Sequence, residues 1–351
     1  MGSLVSAALR RANIENQTSR HALSLSGLLL FLLLSFFASF ALGRYPIPLD
    51  ELTRVIASRV FAIEKSWSDA AEAVIFNIRL PRVLAAMMVG AALSGAGAAY
   101  QSLFKNPIVS PDVLGASAGA GFGAAVGILL SLSYLGVSLC AFLFGLAAVL
   151  VAYAISTRIK QEPAFGMVLA GMLVGSLFTS AISYVKLIAD PSNALPAITY
   201  WLMGSLASIR SQDISLAAGP LLLSMVPLVL LGWRLNVLTM GEEEARSLGI
   251  KTGLMRVVIV TCATFATAAS VAIGGMIGWI GLIVPHLARR LVGCDNRLLI
   301  PASMLLGSGF LLLVDTLART VASSEIPLGI LTSFSGAPIF LFLMAQRRYR
   351  A

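Results

Sequence analysis

The 351-residue sequence predicts an all-helical, polytopic membrane protein with ten transmembrane helices and both termini in the cytoplasm. Three observations predict it. Hydrophobic residues make up 58% of the chain and charged residues only 12%, about half the ~25% typical of soluble domains. Apolar runs of about 20 residues, the length that crosses the hydrocarbon core, recur along the whole chain. Basic residues also gather on one side of the resulting map, as the positive-inside rule requires. A soluble enzyme, a disordered chain and a nucleic-acid binder are thereby excluded. The net charge of +9 decorates loops and forms no basic patch on a polar domain.

In chain order the expected spans are 22–42, 83–103, 113–131, 134–157, 166–189, 214–233, 254–273, 276–291, 299–319 and 328–346. The first follows Arg10, Arg11 and Arg20, in a cytoplasmic tail expected over residues 1–21. Its length exceeds the ~7–15 residues of a signal-peptide core, so it is expected to stay in the protein. The eighth is interrupted by Gly274, Gly275, Gly278 and Pro285. With the N-terminus inside, Lys105, Arg158, Arg234, Arg246, Arg256, Arg289, Arg290 and Arg297 join the terminal arginines on the cytoplasmic face. That face then carries the entire net charge. Two outer segments remain, Gly43 to Arg82 and Asp190 to Asp213, together with one charged cytoplasmic segment around 236–256. Gly119, Gly123 and Gly127, like Gly171 and Gly175, recur every four residues and read as helix-packing positions.

No phosphate loop of the GxxxxGK[ST] type is present, so ATP hydrolysis by that route is not expected of this chain. Cys140, Cys262 and Cys294 are far apart, and His21 and His286 make no metal site. No catalytic residue, metal or bound cofactor is expected. Asp112, Asp190 and Asp315 sit at expected span edges, so the membrane path is expected to be lined by neutral groups. An ion-coupled secondary transporter, which places ionisable groups near the midplane, is the rival reading from another class. An intramembrane enzyme on His286 or Asp315 is disfavoured, because the two lie near opposite faces.

Arg79-Leu80-Pro81-Arg82, Gly90 to Gly95, Gln101, Asn106-Pro107, Pro111 and Leu114-Gly115 resemble the opening of the FecCD-type permeases that import iron chelates, vitamin B12 and haem. So, in order, do Trp201 to Ser205, Leu238 to Gly249, Gly281 to His286, Asp315 to Arg319 and Glu325 to Gly329. The resemblance runs from about residue 75 to 345. It implies a single permease domain over 1–351 in the cell inner (plasma) membrane, usually a homodimer with its pore at the subunit interface. The implied partners are two cytoplasmic ATP-binding subunits, which use the ATP, an extracytoplasmic substrate-binding protein and membrane lipid, with no nucleic acid. The cargo it implies is a metal chelate, first a ferric siderophore, with haem, vitamin B12 or a molybdate-type oxyanion as alternatives.

The resemblance also assigns residues. Arginines matching Arg79, Arg82 and Arg319 meet acids of the binding protein, a task suited to the planar guanidinium fork. Interfacial snorkelling, a local acid such as Glu72, or an intrahelical Asp315–Arg319 pair are competing explanations. Residues 236–256 match the segment that couples to the ATPase. A short helix there would present Leu238, Met240, Ala245 and Leu248 as an apolar face beside Glu242, turned at its ends by Gly241 and Gly249. The gate between spans 4 and 5 falls on Ala164 and Phe165, where the vitamin B12 permease has small hydroxyl residues. His286 reads as structural, and Tyr200 and Trp201 as interfacial anchors.

Overall fold

A computed structural model describes residues 2–59, 61, 64–159 and 163–347; of these, the side chains of 2–19, 49, 163, 164, 344, 346 and 347 lie outside the description. The expected N-terminal tail is continuous with the first helix, α1 (Gly2–Ala41). Lys160, Arg348 and Arg350 fall outside the described residues. All described regular structure is helical.

The outer segment after α1 is more ordered than a loop. Helix α2 (Leu49–Ala57) buries Leu52 and Val55 while Ile56 stays exposed. Ser68 then caps α3 (Asp69–Ala73) by accepting from the Ala71 N–H, a side-chain bond that satisfies one free donor of the first turn. The chain passes through a π-helical turn, Val74–Arg79, directly into α4 (Leu80–Leu103). The second span is thus the end of one 35-residue helix, Asp69–Leu103.

Beyond α4 come α5 (Ala116–Leu129), α6 (Tyr134–Ser156), α7 (Pro163–Ile188), the short outer α8 (Ala194–Leu202) and α9 (Ser211–Leu230). On the cytoplasmic side follow α10 (Gly232–Met240) and α11 (Glu242–Ser247), then α12 (Thr252–Gly274), α13 (Ile280–Val292), α14 (Asn296–Thr320) and α15 (Leu328–Arg347). Seven helical stretches are long and apolar enough to cross a membrane: Arg20–Ala41, Asp69–Leu103, Tyr134–Ser156, Phe165–Ile188, Ser211–Leu230, Thr252–Gly274 and Asn296–Thr320. The remaining three expected spans coincide with shorter helices: the apolar 14-residue α5, the 13-residue α13 ending in Arg289 and Arg290, and the apolar part of α15, Leu328–Leu343. Their shortness has one cause: α5 and α13 begin from non-helical backbone inside the protein, and α15 begins against two such segments.

Helix α4 is the axis of the bundle. The apolar window of Asp69–Leu103 is 83% buried, against 22–33% for the windows of α1, α6, α7 and α9, which present apolar side chains outward as lipid-facing helices do. The run of Gly and Ala from Gly90 to Ala99 makes this possible, because small residues let neighbouring backbones approach. A Cβ on Gly90 would stand 2.3 Å from the Gly307 carbonyl oxygen of α14, and one on Gly97 would stand 1.9 Å from that of Gly281 in α13. The glycine repeats read from the sequence serve the same purpose between α5 and α6: Gly119 and Gly123 lie against the carbonyls of Phe144 and Cys140.

Candidate functional site

Three places concentrate polar chemistry in an otherwise apolar bundle: an outer ionic cluster, a chamber at membrane depth and a cytoplasmic groove.

The outer cluster unites the three arginines singled out in the sequence, but turns them inward. Arg79, Arg82 and Arg319 are only 3–6% exposed. Arg79 donates to the backbone carbonyls of Phe40 and Tyr45. Arg82 Nε donates to Asp315 Oδ1 and Oδ2 at 2.8 and 3.1 Å, and its Nη1 to Glu325 at 2.8 Å. Arg319 lies 3.3 Å from Asp315 and donates to the carbonyl and hydroxyl of Ser39 at 2.6 and 2.8 Å. The cluster therefore ties α1, α4 and α14 together at their outer ends. The arginines expected to meet the binding protein thus lie together, and in this conformation their guanidinium groups are buried and bonded within the chain. Glu72, the acid considered nearest, pairs with Arg59 and Lys65 instead. The intrahelical Asp315–Arg319 pair is present as one edge of the cluster. Asp315 itself, fully buried, could not be read as its hub because Arg82 is 233 positions away.

The chamber occupies about 680 Å³ between α5, α15 and the connection from α12 to α13. Its walls are mostly apolar and include Leu202, Met276, Trp279, Ile330 and Phe334, with Asp112, Ser117 and Ser333 as polar members. Three non-helical segments meet at its rim. Ser205 N–H donates to Gly274 O, Leu328 N–H to Gly204 O and Gly329 N–H to Met203 O, each at 2.9 Å. Non-helical backbone at this depth survives where protein buries it or where it lines a water-filled cavity; here it does both. Gly204 and Gly275 take φ of +75° and +69° against each other, a region side chains rarely enter. Trp279, without that freedom, is held at φ +71°. Such a conformation in a bulky residue costs on the order of 1–3 kcal/mol and recurs at functional sites.

Asp112 corrects the expectation of a path lined by neutral groups. After α4 the chain does not stay at the cytoplasmic edge. Pro111, heading the 3₁₀ turn Pro111–Leu114, packs beside Gly281. Gly281 in turn sits against the Leu93 carbonyl of α4. At 1.5 Å per residue, Leu93 lies about 20 Å from the outer start of α4 and about 15 Å from its inner end. The segment re-enters the membrane, and Asp112 is exposed to the chamber near mid-depth.

On the cytoplasmic side, Phe165, Leu238, Glu242, Thr252 and Arg256 line one groove of about 500 Å³ with Phe104 and Lys105. The structure thus brings the expected gate residue Phe165 beside the expected coupling segment; the Ala164 side chain lies outside the described residues. The coupling segment is two helices hinged at Gly241, with Gly249 at φ +77° closing the second. Its expected apolar face divides. Ala245 is fully buried and Leu238 half-buried against the core at the groove, whereas Met240 and Leu248 are 68% and 58% exposed beside Glu243 and Glu244. Glu242 accepts from Arg246 at 2.7 Å and Thr252 at 3.2 Å. Partial desolvation would raise its pKa, yet the Thr252 bond and the Arg256 and Arg246 charges together hold it below the usual carboxylate range.

A polar clasp not foreseen from the sequence fastens this segment to the bundle. Asn236 donates to Asp295 at 2.6 Å and accepts from the backbone of Asn296 at 2.8 Å, while Ser102 at the end of α4 donates to Asn296 at 2.5 Å. Bonds from Arg297 first, then Asn236, hold Asp295 down at about 2. Tyr200 is about half exposed, whereas Trp201 packs against Val271 and Ala272 of α12. His286 is buried within α13.

With this geometry in hand, the comparisons are specific. The FecCD transport family matches residues 30–346. The chain is 37% identical over 316 residues to the molybdate import system permease of Haemophilus influenzae, covering 90% of this chain and 93% of that one. It is 38% identical over 275 residues to a probable iron chelatin transport permease of Helicobacter pylori, covering 78% and 83%. A solved inward-facing metal-chelate-type ABC transporter superposes with a TM-score of 0.83 at 35% identity, covering 92% of this chain and 98% of its own. A multi-pass bundle, a chamber at membrane depth and a match across nearly the whole length lead to one conclusion: this chain, an inner-membrane transport permease, belongs to the FecCD transport family.

Proposed function

We propose that the chain is the pore-forming subunit of a binding-protein-dependent importer for a metal chelate of the ferric siderophore class. It has ten membrane passes with both ends inside and works as a homodimer with two ATP-hydrolysing partners. The observation that carries this reading is the chamber, a cavity at membrane depth walled by non-helical backbone and apolar side chains. Its free side lies along α5 and α15, where a second copy would close it. Phe165 and the groove around it form the inner gate. The 37% identity to a molybdate permease supports a second reading, in which the cargo is an oxyanion.

Coupling to the ATPase runs through the exposed part of α10–α11. Leu248 makes an apolar knob on the cytoplasmic face, and a buried leucine contributes about 1.5–3 kcal/mol. Leu248→Asp is therefore expected to weaken assembly with the ATPase about a hundredfold, read by co-purification and by loss of transport-coupled ATP hydrolysis. The thermal midpoint of the permease alone should stay put, because an exposed substitution changes stability by only about 0.5 kcal/mol. Unchanged assembly would remove α11 from the interface.

Docking of the binding protein engages the outer cluster. Three buried arginines face two carboxylates there, leaving one positive charge unbalanced, and Glu325 is the cluster's most accessible acid. Glu325→Gln raises the imbalance, and rim charges act mainly on association rate and salt dependence. Affinity for the binding protein, measured by biolayer interferometry, is expected to rise about three- to tenfold at low salt and to become more salt-sensitive. No change in either would sink the docking role of the cluster.

A further inference from the structure

We propose that Asp112 is the charge-selecting residue of the transport path: its carboxylate holds the chamber at negative potential, favouring neutral or cationic chelates and disfavouring oxyanions. This rests on the permease reading above and deepens it by choosing between its two cargo classes.

The carboxylate is a singular feature of the chamber. It is the one charged side chain among the described residues that line the cavity, and it forms no ion pair among them. Its Oδ1 accepts the Ser117 hydroxyl, which orients the group without neutralising it. The backbone is built to bring it there. Gly115, at φ +79°, turns the chain from the 3₁₀ turn into α5, and a Cβ there would stand 3.2 Å from the Gly171 carbonyl oxygen and the Gly175 nitrogen. A side chain at Gly115 would meet both the torsional and the steric barrier. Across the chamber, Trp279 is held in its left-handed conformation, and a Cβ on neighbouring Gly278 would meet nothing within 4 Å. Asp112 and Gly278 line the same cavity. When ionised, a lone carboxylate in a cavity with apolar walls acts over a longer range than it would in bulk water, because the surrounding medium screens it less.

The structural alternative is that Asp112 serves only to position the start of α5 through Ser117. Two conservative variants separate the roles: Asp112→Asn keeps an oxygen for the hydroxyl but removes the charge, and Asp112→Glu keeps the charge. The experiment uses the full chain in lipid nanodiscs, with Cys140, Cys262 and Cys294 replaced by serine and Ser333→Cys introduced as a reporter in the chamber wall. Reaction rates are measured with a cationic and an anionic methanethiosulfonate of similar size at low salt. The ratio of cationic to anionic rate is expected to fall about tenfold in Asp112→Asn and to hold in Asp112→Glu, with thermal midpoints unchanged. An equal ratio in all three backgrounds would overturn the proposal, as would a reporter thiol inert to both reagents. The measurement needs neither ATPase nor cargo. Its failure leaves the importer reading standing, and failure of ATPase assembly leaves the electrostatics of the chamber untouched.

Discussion

Asp315→Ala is expected to destabilise the protein by about 3–5 kcal/mol, the usual consequence of removing one partner of a buried ion pair. Asp315 is completely buried and lies between two arginines from different helices, Arg82 of α4 and Arg319 of α14. Without it Arg82 retains Glu325, but Arg319 keeps only neutral partners in Ser39 and Thr316, and the two guanidinium groups face each other across the vacated site. Asp315→Asn preserves volume and one acceptor and should lose roughly half as much. The informative control is a double replacement, Arg319→Met with Asp315→Leu, which removes the uncompensated arginine while Arg82 keeps Glu325. Well-packed apolar pairs often match or exceed buried ion pairs in stability, so this variant should be more stable than Asp315→Ala while losing any response to the binding protein. Thermal unfolding in detergent checks the order. A double variant as unstable as the single would mean that the charge network, rather than the uncompensated arginine, carries the loss.

The helical class, the seven helices long and apolar enough to cross a membrane and the family were legible because each rests on local signals: apolar runs and motifs whose residues lie close in sequence. The three arginines were legible as a group for the same reason, yet their environment was not. Whether a guanidinium faces solvent or Asp315 depends on where α14 and α1 pack on α4, and pairings across more than 200 residues leave no local trace. The coupling helices show the same division. The sequence predicted one short helix there, turned at its ends by Gly241 and Gly249, where the structure has two, and Ala245 is buried in a core cluster shared with Ile250 and Met255. Asp112 was misplaced because hydropathy treats a re-entrant segment as a loop followed by a span. The signal that could have corrected this was the pair of Pro111 and Gly115 flanking a four-residue turn, too brief to read as membrane-embedded without the glycines of α7 that receive it.

The outer cluster and the coupling segment are joined by the same two helices. Arg82 and Asp315 sit at the outer ends of α4 and α14, and Ser102 and Asn296 meet at their inner ends, where Asn296 donates to Asn236 of α10. Between these polar clasps the helices touch at Gly90 and Gly307, so in the proposed assembly a binding protein docking outside and an ATPase moving inside would act on one rod pair. Gly90→Ala tests that link. The new methyl would stand 2.3 Å from the Gly307 carbonyl oxygen and 2.8 Å from its carbon, both backbone atoms that no rotamer change can move aside. Overpacking of this kind typically costs about 1–3 kcal/mol, and the helices must separate by about 1 Å to restore ordinary contact at ~3.5–4 Å. The expected result is a lower thermal midpoint together with ATP hydrolysis that no longer responds to the binding protein. Gly219→Ala on α9, where a Cβ would meet nothing within 4 Å, should change neither and serves as the matched control. Stimulated hydrolysis surviving in Gly90→Ala would place the coupling route outside the α4–α14 pair.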